Sequence, residues 1–237
     1  GEDGQFNAAP TFQPPADHSG SAQIVVRAVA EEAPTDVDWT ESNNTSVAQQ
    51  SIDVNVTPTA DTPIVTFTGM NAVGVSSGAY LTKEDTSVDI GFKATTGEYT
   101  NDPVNSDGSE TLTSVTLSGL AGWTIDAVDL QDLLNDPAIE SYTVLADGLK
   151  IDFAEGVETY DISDLTLSPP ENSAEDISLG DLNISVTVND QGVNCQGNAT
   201  SVSNSAADSS GIIVDAVVDG SEVTGTPDMG ISEDPIS

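Results

Sequence analysis

The chain has 237 residues and sets forty acidic side chains against four basic ones, for a formal charge of −36. A field of that sign repels phosphate backbones and anionic lipid, which excludes nucleic acid and direct membrane insertion. Self-repulsion on this scale calls for a multivalent counter-charge, and carboxylate oxygens suit a hard cation such as Ca2+.

Hydrophobic content is 37% with only 5% aromatic, but the Val, Ile and Leu residues fall in alternating runs, which favours folded β-structure over disorder. Cys195 is the one cysteine, so no internal disulfide exists. No apolar run reaches the roughly 18 residues of a membrane-spanning helix.

In chain order, Pro14-Pro15 is a turn, and Ile52, Val54 and Val56 alternate with polar residues as one strand. Val88, Ile90 and Phe92 repeat that period of two, and Asp107-Gly108 closes a turn before Val115 and Leu117. Trp123 and Ile125 form a short strand, with Trp123 read as core. Asp126 then caps a short helix whose apolar face is Leu130, Leu133 and Leu134, stopped by Asn135-Asp136-Pro137 and serving as a crossover between sheets. Leu149, Ile151 and Phe153 give a strand after the Asp147-Gly148 turn. Pro169-Pro170 precedes another at Ile184, Val186 and Val188. Many short strands with frequent turns predict an all-β fold of β-sandwich modules with one short helix in the central module.

An internal repeat organises the chain. Residues 12–29 match residues 167–188 as a double proline, a small acidic turn and a strand. Residues 51–61 match 211–221 at a separation of 212 − 52 = 160 residues, Thr62-Pro63 matches Thr226-Pro227, and KEDTSV at 83–88 matches SEDPIS at 232–237. The expected division is the C-terminal part of one sandwich (1–62), a complete sandwich (63–225) and the start of a third (226–237). The first block lacks the early strands of its sandwich, so it is expected to pair with another element, by strand exchange with a second chain or with the C-terminal tail.

The candidate cation ligands follow the repeat. Asn105, Asp107 and Glu110 surround Gly108 on one tight turn, with Asp102 as a further donor. Glu84 and Asp85 precede a strand, where they are expected to meet that turn. Asp61 lies just before the Thr-Pro junction, placed to share an ion between modules; Glu233 and Asp234 are the third-module counterparts of Glu84 and Asp85, and Asp219 lies near the preceding junction. Asp190, with Asp36, Asp38 and Glu41, forms a second tier. His18 is the one histidine and has no Ser-Asp partnership in the sequence; no GxSxG, HExxH, P-loop or CxxC motif appears, so an enzyme is not expected. Trp39 is the better candidate for an exposed aromatic.

KEDTSV (83–88), NSDGSETL (105–112), Gly122-Trp123-Thr124, the double-proline block and TPTADTP (57–63), in this order, resemble the tandem cadherin-like or immunoglobulin-like repeats of giant type I-secreted RTX adhesins of bacteria. That resemblance implies a secreted, cell-surface, calcium-stiffened rod for adhesion and biofilm formation, with neighbouring repeats as partners. Some modules of such proteins bind a surface glycan or peptide with calcium taking part. The stretches 126–146 and 189–210 depart from the shorter repeats and are where such binding would sit.

Overall fold

A computed structural model describes residues 11–15, 18–31, 45–69, 78–101 and 108–217. Its strands are β1 (Gly20–Glu31), β2 (Thr45–Val56), β3 (Ile64–Thr68), β4 (Ala79–Lys83), β5 (Val88–Thr95), β6 (Glu110–Ser118), β7 (Thr124–Ile125), β8 (Ile139–Leu145), β9 (Gly148–Phe153), β10 (Thr159–Ser168), β11 (Ile177–Val193) and β12 (Ala199–Asp215). Two helices interrupt them, α1 (Gly97–Asn101) and α2 (Ala127–Asn135).

The strands form three sheets, ordered β1-β2, β3-β5-β10-β7 and β4-β12-β11-β6-β9-β8. The larger two face each other. Their central orders, with β3-β5-β10 on one side and β12-β11-β6 on the other, are those of an immunoglobulin-like sandwich. β4 pairs parallel to β12, which moves the chain from the edge of one sheet to the edge of the other. The β8–β9 hairpin widens the second sheet.

Alternation puts one side of each strand in the core. On β5, Ile90 and Phe92 are buried while Asp89 and Lys93, on either side of them, are exposed. Leu165 and Leu167 join them from β10. Leu117 and Leu149, then Leu182, Ile184, Val186 and Ile212, meet them from the second sheet, all at 1% exposure or less. Trp123 packs half-buried against this core, as its neighbouring strand predicts.

α2 follows its sequence signals. Asp126 has extended backbone angles and its side chain accepts the Val128 amide, the N-cap bond. The helix ends at Asn135 before Asp136-Pro137 and joins β7 of one sheet to β8 of the other, the crossover expected. Of its three leucines, Leu133 is buried, Leu130 packs against the core and Leu134 is 51% exposed.

Tyr80 ties the sheets together. It is 1% exposed on β4 and meets Phe67 of β3 edge-on, ring centroids 6.2 Å apart. Its hydroxyl lies 2.5 Å from the Thr68 carbonyl and 2.9 Å from that of Gly91, and accepts the Gly91 amide at 3.2 Å. Burial raises its pKa, so it stays a neutral donor.

β1 and β2 form a two-stranded ribbon paired from Gly20↔Val56 to Glu31↔Thr45. The pairing puts Ala22, Ile24, Val26 and Ala28 on one face with Ala48, Ile52, Val54 and Val56, and mostly polar residues on the other. The apolar face thins out of contact along the ribbon, with Val26 and Ile52 41% and 50% exposed. The tail beyond Val217 lies outside the described residues.

Tyr80→Phe keeps the ring and removes the bridge, leaving buried carbonyls short of a donor. We expect a loss of about 1–3 kcal/mol, read as a lower urea midpoint with an unchanged slope.

Candidate cation site at the junction

The segment joining ribbon to sandwich, Thr57–Pro63, is pinned from several sides. Pro58, Ala60 and Pro63 are buried. The Thr59 amide donates to Asp190 Oδ2 at 2.9 Å, and Asn204 Nδ2 donates to the Ala60 carbonyl at 3.2 Å. Gly97 lets the segment close over the start of α1, because a Cβ there would stand 2.5 Å from Asp61 Cβ and 2.7 Å from the Thr62 carbonyl.

Beneath this segment four carboxylates line one small cavity: Asp61 from the junction, Glu98 from α1, Glu110 at the start of β6 and Asp190 near the end of β11. Thr59 and Ser109 complete its wall, and its volume is about 20 Å3, room for a single small occupant. Glu110 and Asp190 sit directly opposite each other across the β6–β11 pair. Glu98, Glu110 and Asp190 are 4%, 2% and 7% exposed.

The hydrogen bonds at this cavity leave acceptors over. Glu110 Oε2 takes the Glu98 amide at 2.9 Å and Asp190 Oδ2 takes Thr59, but Glu110 Oε1 and Asp190 Oδ1 are buried with no hydrogen-bond partner. Burial pushes the Glu110 carboxyl above its ordinary value, with the charges of Asp61 and Glu98 adding to the rise; the amides of Glu98 and Asp61 pull it back only in part. A buried carboxylate needs a base, a proton or a metal. No Lys or Arg lines the cavity. Oxygen donors without His or Cys suit a hard cation, and calcium's flexible six to eight oxygens suit it better than octahedral magnesium. Among the described residues, no three carboxylates already converge in ligating geometry on one point, so binding would draw them inward.

Of the ligands expected from sequence, Asp61, Glu110 and Asp190 are thus brought together. Glu98 was missed, because nothing in Gly97-Glu98-Tyr99-Thr100-Asn101 announces a five-residue helix. Asp102, Asn105, Asp107, Asp219, Glu233 and Asp234 lie outside the described residues, as do Asp36, Asp38, Glu41 and Trp39.

Glu84 and Asp85 require a correction. They do not meet Glu110 but lie at the opposite end of the sandwich, where the chain leaves β12. Glu84 Oε2 accepts the Val217 amide at 3.1 Å and Asp85 Oδ1 that of Asn172 at 2.8 Å. The hairpin of β11 and β12 runs the length of the fold, so adjacency to a strand said nothing about which end its loop occupies.

A larger concavity of about 220 Å3 between α2 and β10 is also acidic, lined by Asp129, Asp132, Asp136, Asp161 and Asp164. It differs in kind. Asp129 accepts the Thr166 amide at 2.7 Å, Asp136 accepts the Ala138 amide at 2.9 Å and the Tyr160 hydroxyl at 3.2 Å, and Asp132, Asp161 and Asp164 face solvent. Burial and the Asp136 charge raise the Tyr160 pKa, keeping that donor in place.

No protein-family model matches the chain, and no curated protein matches it. Among solved structures it is similar to BcpA, the major pilin subunit of Bacillus cereus, with a TM-score of 0.36 and 8% identity over 83% of this chain and 69% of the pilin.

Because the native Glu110 carboxyl binds its proton more tightly than the unfolded one, its contribution reverses the usual acid trend. Between its raised value and the ordinary 4.5 the native state holds more protons, so stability falls as pH rises through that window. In chelator, the urea midpoint of the wild type should therefore gain more on acidification from neutral pH than that of Glu110→Gln. Equal gains would show that Glu110 is not strained.

Proposed function

We propose that this chain is a calcium-stiffened structural extender module of a large bacterial cell-surface adhesin, secreted and acting in adhesion and biofilm formation. The observation that carries this reading is the pair of buried, unpartnered oxygens, Glu110 Oε1 and Asp190 Oδ1, at a four-carboxylate cavity beneath the junction. An ion there would offset part of the charge of the cluster and join Asp61 of the linking segment to Glu98, Glu110 and Asp190 of the sandwich. The linking segment would then be fixed to the sandwich that follows it, removing one source of bending between modules.

The position supports a mechanical role over a catalytic one. Three ligands belong to rigid strands or a helix and the fourth to the connection between modules, so occupancy acts on orientation. A sugar- or peptide-binding module is the competing reading, and the atypical stretches were its natural seat. Residues 126–146 supply α2 and β8, and 189–210 supply much of the β11–β12 hairpin, so both are largely used in building the sandwich.

Calcium that binds the native state alone must stabilise it, by about 2.7 kcal/mol at a hundredfold excess over Kd. For a domain of this size that is a rise of roughly 5–10 °C in melting temperature. Glu110→Gln and Asp190→Asn should each abolish most of the rise. Unchanged melting of the wild type at millimolar calcium would sink the proposal.

A further inference from the structure

The ribbon touches the sandwich at a second place besides the linking segment. Ser19 Oγ donates to the Gln191 carbonyl at 3.3 Å, and Gly192 lies so close that a Cβ on it would stand 3.2 Å from Ser19 Cβ. Gly20, with φ 127°, follows against the carbonyl of Val193, 3.9 Å from where its own Cβ would be. The start of β1 thus rests on the far end of β11, beside the hairpin tip.

The sandwich carries its own copy of the upper half of this contact. The offset is 180 − 20 = 160 for the glycines and 184 − 24 = 160 for the isoleucines that follow them. At this offset Ala22, Ile24, Val26 and Ala28 correspond to Leu182, Ile184, Val186 and Val188, the four fully buried residues of β11. Gly20 and Gly180 share positive φ, 127° and 95°. The second strands do not follow in register, since Ile24 pairs with Ile52 but Ile184 with Asp208, so the equivalence is that of β1 with β11 alone.

Leu179–Gly180 therefore stands where Ser19–Gly20 stands, and it is bare. Leu179 is 54% exposed, and a Cβ on Gly180 would meet nothing within 4 Å. Its shape is nevertheless held. The ladder slips between Ile177 and Leu182, and Asn183 Nδ2 donates to the carbonyls of Gly180 and Asp181 at 3.1 and 2.9 Å.

We infer that the Leu179–Gly180 bulge is the seat for the β11–β12 hairpin of a following copy of this module, whose Gly192 lies against Leu179 as Gly192 here lies against Ser19. Leucine in place of serine exchanges one exposed hydrogen bond for apolar cover. The contact is heterologous, one end of the module against the other, and so propagates as an open array without closing. It rests on the tandem-module reading above but not on the ion.

Disulfide trapping tests it, since 3.2 Å between Cβ positions is close to what a disulfide spans. In a Cys195→Ser background, the pair Ser19→Cys with Gly192→Cys should close under mild oxidation and serves as the reference. The full chain is then lengthened after Val217 by a second copy of residues 58–217, with Leu179→Cys in the first copy and Gly192→Cys in the second. An intramolecular cross-link between the copies, identified by mass spectrometry of the joined peptides, is expected; a pair that stays reduced overturns the inference. A lengthened chain without the cross-linking cysteines, carrying instead one exposed cysteine per copy for a spin label, gives an independent reading. There Leu179→Asp in the first copy should leave melting unchanged and broaden the distance distribution between spin labels on the two copies, and an unchanged distribution would also overturn it. Both measurements run with calcium and with chelator, so a missing melting shift counts against the ion and a missing cross-link against the seat.

Discussion

The junction is governed by two carboxylates held opposite each other on neighbouring strands with one oxygen apiece cut off from water. The β6–β11 register makes Glu110 and Asp190 a cross-strand pair, and like charges so placed repel even at a surface. Bases are too few to help. Lys150 pairs with Asp152, Lys83 and Lys93 are exposed on the sandwich, and Arg27 is out on the ribbon. A proton is one answer, which is the sense of the raised Glu110 pKa. A cation would be another, and because Asp61 and Thr59 belong to the linking segment, it would act beyond the cluster on how that segment is held.

The acidity of the chain thus divides into three kinds of work. Among the described residues, one large share is exposed charge, which favours solubility. A second share acts on backbone donors that strands and helix ends leave over. Asp126 caps α2, Asp208 takes the Phe67 amide of edge strand β3, and Asp176 takes the Val214 amide. Glu84 and Asp85 belong with this group, each holding an amide where the chain leaves the sandwich. Among the described residues, only the third share, beneath Thr59, is buried with acceptors over, and burial separates it from the acidic groove beside α2.

Much of the sandwich was legible because its strands alternate cleanly, as Val88–Phe92 and Leu149–Phe153 do, and because Asp126 and Asn135-Asp136-Pro137 bracket α2. The β11–β12 hairpin beyond Val188 was not, since its Ser, Asn and Ala residues carry no apolar period and are ordered by the ladder itself. Asp61, Glu110 and Asp190 were each legible from turns and junctions, but their meeting was not: it depends on which strand ends share one end of the fold. Glu98 needed the three-dimensional structure, being placed by a single turn of helix.

The geometry also decides how such a site could stiffen an array. Among the described residues, every carboxylate at the cavity comes from the sandwich or from the linking segment, and none from the ribbon. An ion there would fix the segment to the sandwich that follows it yet leave the preceding hairpin free to swing about Thr57. The Ser19–Gly192 contact restrains that swing from a second point, on the strand that does not lead into the segment. One fixed point leaves a pivot, whereas two on separate strands define a direction. Stiffness at this junction is therefore a property of the pair, and neither the cation nor the hairpin contact would supply it alone.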